Sequence, residues 1–299
     1  MTTPIPPSQP SQITLIKLSP NELATQKITS HNLQHAIEAL HRDGILVLEN
    51  AVDPNHLDTL NERMVPDAKT LFARASTHRN FGPATGNIQQ EPVLEKEFIF
   101  QDVLANPFAV QVVECMFGPR PALRFYSANT AFKAEDRQPV HIDVNFDFPR
   151  VPWGYAVNIN LVDTTPENGA TEVWLGSHSE TTKDVLDPQY KHKQIRGELL
   201  EARRKVSPGI QASLPKGSLI IRDMRLWHAG MPNRTEIPRV MLATILFPHW
   251  YRSGQKIILP ESLKGLVEGW EGVEVCVEWV EDGYDYLQGR HDHDFALKP

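Results

Sequence analysis

Apolar positions in the first quarter of the chain recur at helical spacing. Leu33, Ala36, Ile37 and Leu40 stand at i, i+3, i+4 and i+7 of a helix that starts near Ser30, and Gly44 is placed to close its C-terminus. The apolar run "ILVLE" (Ile45 to Glu49) that follows reads as a buried strand. Asp53-Pro54 supplies an N-cap and a first-turn proline for a second helix carrying Leu57, Leu60 and Met64, and Pro66 is predicted to limit its length. After about Pro121 the pattern shortens to β-rich segments, "ALRFYSANTAF", "WGYAVNINLVD", "TEVWLG", "SLIIRD" and "RVMLATILF", separated by Gly, Pro and Asn. Strands at that density predict a sandwich or jelly roll.

Two further stretches complete the pattern. "ELLEARRK" (Glu198 to Lys205) has helical propensity inside a charged excursion from about Lys183, and its basic residues read as a solvated face. Apolar alternation in "VEVCVEWV" fits a half-buried strand, in a C-terminal region that could cover the core or pair with another subunit as a homodimer. The expected organisation is therefore a disordered Pro-, Ser- and Gln-rich tail at 1–12 and a single domain at 13–299. Within it lie a helical wall at about 13–120, a jelly-roll core at about 121–250 and a covering segment at 251–299. No internal repeat is visible.

Composition narrows the function classes. A chain of 299 residues, 40% of them apolar, buries a core without disulfide staples. Cys115 and Cys276 are too few for a secreted scaffold and lack metal-ligand spacing, which suggests a reducing interior. The start "MTTPIPPSQPSQ" has no basic or apolar signal region and no apolar run reaches membrane-spanning length, so a cytoplasmic protein is expected, without a membrane partner. A net charge of -7 argues against a nucleic-acid partner, which needs a positive surface, and leaves a small-molecule substrate.

The segment "RQPVHIDVNFDFP" (137–149) reads as a strand that puts His141 and Asp143 on one face and Ile142 and Val144 on the other. Alone, that motif is weak, and a surface pair or a satisfied polar core pair is the commoner explanation. The picture changes at "LIIRDMRLWHAGMPNRTEIPRVML", where a strand ends in Trp227-His228, turns, and resumes at Arg239. Two imidazoles and one carboxylate can form the facial triad of non-haem Fe(II) oxygenases, which leaves three coordination positions open. An arginine on the following strand could hold a carboxylate through its planar fork of donors.

Together, "QPVHID", "ENGATEVWLGSHSE" and "LWHAGMPNRTEIPR" resemble the phytanoyl-CoA dioxygenase family, over about residues 35 to 250, with a texture similar to fungal members that tailor secondary metabolites. The resemblance implies a double-stranded β-helix, mainly β with flanking helices, and oxidation of a small-molecule C–H bond with Fe(II), 2-oxoglutarate and O2, giving succinate and CO2. It implies that His141, Asp143 and His228 hold the metal and that Arg239 clamps the co-substrate, with Gln138 and Thr171 at further co-substrate positions. It also implies that no halogenation occurs, because halogenating relatives replace the carboxylate ligand. Gly230 departs from the Ser or Thr that some members carry there, and Leu175-Gly176-Ser177-His178 alters a Pro-Gly-Ser-His turn, with His178 read as structural.

Asn87, Tyr126 and Phe132 are candidate pocket walls, His249 a strand-end or mouth residue, and "RHDHDF" (Arg290 to Phe295) a solvated charge run. Hydroxylation, desaturation and rearrangement all stay open. An acyl-CoA hydroxylase is a second reading, resting on the basic residues of "YKHKQIRG" and "ARRK"; a Zn-dependent hydrolase, a non-catalytic jelly-roll binding protein and an iron oxidase without the co-substrate are others.

Overall fold

The structure, a computed structural model, describes residues 12–189, 193–288 and 293–298. The tail expected at 1–12 lies outside them except for its last residue. Elements follow in the order β1 (Leu15–Lys17), α1 (Pro20–Thr25), α2 (Ser30–Asp43), β2 (Ile45–Glu49), α3 (Pro54–Ala73), β3 (Asn87–Gln90), α4 (Gln101–Leu104), α5 (Pro107–Phe117), β4 (Ala122–Ala131), β5 (Tyr155–Asn160) and β6 (Glu172–Val173). Then come α6 (Gly197–Val206), β7 (Leu219–Asp223), β8 (His228–Ala229), β9 (Arg239–Phe247), β10 (Ile257–Pro260), α7 (Lys264–Val267), β11 (Glu274–Val275) and β12 (Val277–Val280).

The main sheet runs β1-β2-β7-β5-β9-β4-β11, with β3 paired to β4. The facing wall is the small β6–β8 ladder, extended by isolated bridges at His141, Val173 and Thr164. Two such walls closed around a cavity are the double-stranded β-helix, and the two-residue period of its strands divides the chemistry. On β5, Tyr155, Val157 and Ile159 enter the main core with Leu40, Leu57 and Val113 of the helices, whereas Ala156, Asn158 and Asn160 face the cavity. On β9, Val240, Leu242 and Leu246 turn to the helices and Arg239, Met241, Ala243 and Ile245 to the cavity.

Three local expectations change. Helix α3 runs through Pro66 to Ala73, because Met64, Ala68 and Leu71 continue its buried stripe past the one backbone bond that proline forfeits; Ala68 and Leu71 pack with Ile88. Residues 137–149 are extended and irregular rather than a strand, and pair only through bridges at His141. The first third is also more than a wall of helices, since β1, β2 and β3 all join the main sheet. No helix among the described residues is long and apolar enough to cross a membrane.

The junction of α2 and β2 ties the helical layer to both walls. Gly44 adopts φ 76°, donates to Leu40 O at 3.1 Å as the helix cap, and accepts from Asp223 N at 2.8 Å. The neighbouring Asp43 O accepts from Gly176 N at 2.8 Å. A Cβ at position 44 would stand 2.5 Å from His178 Nδ1. Gly44→Ala should therefore lower stability by at least the cost of a left-handed alanine, about 1–2 kcal/mol, in urea unfolding; an unchanged midpoint would contradict this packing.

Candidate metal centre

The cavity enclosed by the two walls has a volume of about 580 Å³, inside the range of about 300–1,000 Å³ common for small-molecule sites. One backbone pairing organises its polar end. His141 N donates to His228 O at 2.9 Å and His228 N donates to His141 O at 3.1 Å, so the two residues stand directly opposite each other. His228 is fixed from its other side by β6, where it pairs with Val173. Next to it, Trp227 N donates to Ser177 Oγ at 2.9 Å and its indole N–H to Thr181 Oγ1 at 2.7 Å. The Gly-Ser-His turn is thus a support for the strand that carries His228.

Both imidazoles are oriented in the same way. His141 Nδ1 lies 2.8 Å from Pro139 O, and His228 Nδ1 lies 3.0 Å from Leu226 O. A carbonyl oxygen can only accept, so each Nδ1 carries the proton and each Nε2 presents a lone pair. Those Nε2 atoms stand 3.9 Å and 3.4 Å from Asp143 Oδ1. The three ligand-type atoms lie within 4.8 Å of one another, and among the described residues this is the one group of its kind. Two neutral nitrogens and one carboxylate oxygen suit a divalent first-row ion that keeps open positions.

Electrostatics keeps His141 and Asp143 in their ligand forms. Burial, followed by the neighbouring His228, lowers the His141 pKa to about 3. Burial would raise the Asp143 carboxyl, but Arg222 first, then His228 and His141, hold it well below its ordinary value. Arg222 donates from Nη2 to Asp143 Oδ2 at 2.6 Å and from Nε to Asn158 Oδ1 at 3.1 Å. That occupies one carboxylate oxygen and leaves Oδ1 to face the imidazoles. Lys193 Nζ donates to the Asp143 carbonyl, and burial lowers its pKa. Phe81 covers the His141 ring at 4.4 Å with its backbone at φ 61°, a strained conformation of the sort that collects at functional sites.

In the same cavity, Arg239 is only 4% exposed. It donates from Nε to Asn168 O at 2.9 Å, from Nη1 to Asn160 Oδ1 at 2.7 Å and from Nη2 to Gly169 O at 2.7 Å. All three acceptors are neutral, and burial lowers its pKa to about 10. A buried guanidinium with no carboxylate partner among the described residues is a site prepared for an anion. Gly169 makes the cradle possible: at φ 83°, its Cβ would meet Met231 O at 2.7 Å. The donor set and this cation together fit a ferrous ion and a dicarboxylate.

The remaining candidates divide. Gln138, Thr171 and Asn87 line the cavity. Gln138 Oε1 accepts from Gly230 N at 2.9 Å, and a Cβ at 230 would stand 2.6 Å from that oxygen. The glutamine amide thus takes the space that a side chain at 230 would need, which accounts for the glycine. Tyr126 and Phe132 are corrections, because neither lines this cavity. Tyr126 has the opposite strand parity to Phe125 and Ser127 and enters the helix-facing core, and Phe132, past the end of β4, stacks on Phe72 at 4.1 Å.

His249 is exposed and pairs with Glu274 at 3.2 Å. The "RHDHDF" run, half of which lies outside the described residues, is not simply solvated: His293, Asp294 and Phe295 line the cavity, with His293 edge-on to Phe125 at 4.7 Å. In the basic excursion, residues 190–192 lie outside the described residues, Arg203 donates to Leu175 O, and Arg204 covers Trp174 at 5.2 Å. Sequence reading missed Arg222, Asn158 and Asn160, and named Lys193 only among the basic residues of an acyl-CoA patch. The signal for the first three was a polar residue at alternate positions of an apolar strand, in "AVNIN" and "LIIRD".

The family model for phytanoyl-CoA dioxygenase (PhyH) matches residues 40–241. A curated relative, dioxygenase af480 of Aspergillus fumigatus, is 29% identical over 159 residues, 52% of this chain; the match spans 46% of that relative, about half its length. Among solved structures, the epimerase SnoN in complex with Fe3+, alpha ketoglutarate and nogalamycin RO is 16% identical, with a TM-score of 0.57 over 85% of this chain and 98% of that one. EctD from S. alaskensis in its apoform is 18% identical, with a TM-score of 0.55 over 74% of this chain and 77% of that one.

The neutral state of His141 has a measurable consequence for the metal-free protein. Between pH 6.5 and 5 the unfolded chain protonates this histidine while the folded one does not, so falling pH costs about 1.4 kcal/mol per unit, on the order of 2 kcal/mol in all. Asp143 is ionised in both states over that window and contributes no slope. His141→Leu should gain about that 2 kcal/mol relative to wild type as pH falls from 6.5 to 5, read by urea unfolding in chelator. A difference between the two proteins that does not change with pH would contradict the buried, neutral imidazole.

Proposed function

We propose that this chain, which belongs to the phytanoyl-CoA dioxygenase family and is a non-haem oxygenase using Fe(II), 2-oxoglutarate and O2, holds its iron through His141, Asp143 and His228 and oxidises a C–H bond of a small metabolite. The observation that carries this reading is the pairing of the triad with a second buried cation in one cavity, Arg239, whose bonds go to neutral acceptors. When bound, the ferrous ion with 2-oxoglutarate and dioxygen supplies the oxidant, with succinate and CO2 as co-products.

The residues of the chain do the positioning. Pro139 O and Leu226 O hold the two Nε2 lone pairs toward Asp143 Oδ1, and Arg222 keeps Oδ2 occupied, so these three residues would hold the ion by one atom each and leave room for co-substrate and oxygen. Arg239 grips the far carboxylate of 2-oxoglutarate, oriented by Asn160, Asn168 and Gly169. Gln138 and Thr171 line the co-substrate side, and Gln138 is itself fixed through Gly230 N. Phe125, Ile245 and Phe295 line the apolar part of the cavity, which keeps bulk water from a reactive centre. A biosynthetic role is supported by SnoN, named for nogalamycin biosynthesis. The apolar enclosure suits a free metabolite better than a CoA thioester, since Arg203 and Arg204 are engaged within the fold.

Arg239→Gln should raise the 2-oxoglutarate concentration for half-maximal succinate formation at least tenfold, because a charge-assisted bond contributes about 1.5–3 kcal/mol; an unchanged value would remove Arg239 from the co-substrate site. Turnover in chloride should give no chlorinated product in mass spectra, since Asp143 fills the position a halide would need.

A further inference from the structure

Arg222 has a donor that the metal centre does not use. Its Nη2 and Nε are committed to Asp143 and Asn158, but Nη1 is buried without a hydrogen-bond partner among the described residues, on a residue 8% exposed that lines the cavity. A buried unpaired N–H on a charged group costs free energy that a ligand oxygen would recover. Lys193 donates to the backbone carbonyl of the same aspartate and also lines the cavity.

Charge balance points the same way. Among the described lining residues the cations are Arg79, Lys193, Arg222 and Arg239, and the acids are Asp143 and Asp294, the latter paired with Lys298. A ferrous ion with its carboxylate ligand, and 2-oxoglutarate with Arg239, cancel. Three cations then remain in excess of the acids; Arg79 donates to Phe72 O and lies over that ring at 4.3 Å, and Arg222 and Lys193 are the two that contact Asp143. Arg222 is distinct from the co-substrate clamp: its guanidinium reaches Asn158 of β5, whereas that of Arg239 reaches Asn160, two residues along the same face, or about 7 Å at roughly 3.3 Å per residue. The sheet row that runs across from Arg222 is Ala156, Ile245 and Phe125, all apolar.

We propose that Arg222 and Lys193 form an anion subsite beside the metal centre, and that the substrate is an amphiphilic organic acid whose carboxylate docks there while its apolar body lies along Ala156, Ile245 and Phe125. This rests on the oxygenase reading above. The carboxylate is bound by two cations next to the iron ligand Asp143, so the substrate carbons a few bonds from its acid group are the ones presented for oxidation.

The test is calorimetry on the protein loaded with Mn(II) and 2-oxoglutarate, which reads binding without turnover. The probes are isosteric acid and amide pairs, decanoate with decanamide and 2-naphthoate with 2-naphthamide. At least one acid should bind about tenfold or more tightly than its amide, as charge-assisted bonds require. That preference should fall to near one in Arg222→Gln and in Lys193→Gln. The lysine variant keeps the test valid should Arg222→Gln lose its metal. Equal binding of acid and amide in both pairs, or a preference that survives in Lys193→Gln and in metal-loaded Arg222→Gln, would overturn the subsite alone. Failure of the wild-type protein to bind 2-oxoglutarate at all would instead overturn the oxygenase reading, so the two failures are distinct.

Discussion

The site depends on a two-residue backbone pairing. His141 and His228 exchange both of their N–H···O bonds within one wall of the cavity, and this pairing joins an irregular segment to a two-residue strand. Neither partner lies in a long ladder that would hold it independently. The support comes instead from neighbours: Val173 pairs with His228, with Ser177 and Thr181 holding Trp227 beside it, and Gln194 bridges His141 on the other side. Because each imidazole also bonds to the carbonyl two residues before it, the backbone fixes side-chain rotation and tautomer together.

Around that pairing the main sheet separates two kinds of interior. One set of strand positions builds a conventional apolar core with the helices, and the alternate set lines a cavity rich in amides and cations. Buried guanidinium groups are costly in such a setting, and the fold accommodates them differently. Arg222 has a carboxylate partner, whereas Arg239 is surrounded by neutral acceptors. The first arrangement orients a metal ligand; the second leaves a charge for a co-substrate to satisfy.

Much of this was legible in the chain itself. The cap at Gly44, the Asp53-Pro54 helix start and the strand segments followed from local chemistry, and the His-x-Asp spacing with a distal histidine sufficed to nominate three residues that the fold brings together. What local pattern could not supply was which face of a strand looks inward. Tyr126 and Phe125 are adjacent, and only the register of β4 against β9, with its irregularity between Leu123 and Phe125, sends the tyrosine to the helices and the phenylalanine to the cavity. Pro66 misled because tertiary burial of Ala68 and Leu71 outweighs one missing backbone bond. Arg222 was hidden for the opposite reason, since a charge within "LIIRD" gains meaning only once Asp143 lies across from it.

The measurement that bears most directly on the account is anaerobic addition of Fe(II) and then 2-oxoglutarate to metal-stripped protein, followed by visible absorption. Chelation of the keto acid by iron at His141, Asp143 and His228 predicts a weak charge-transfer band in the wild-type protein that is absent from His228→Ala. A band of equal strength in both proteins, or in neither, would contradict the placement of iron at this triad.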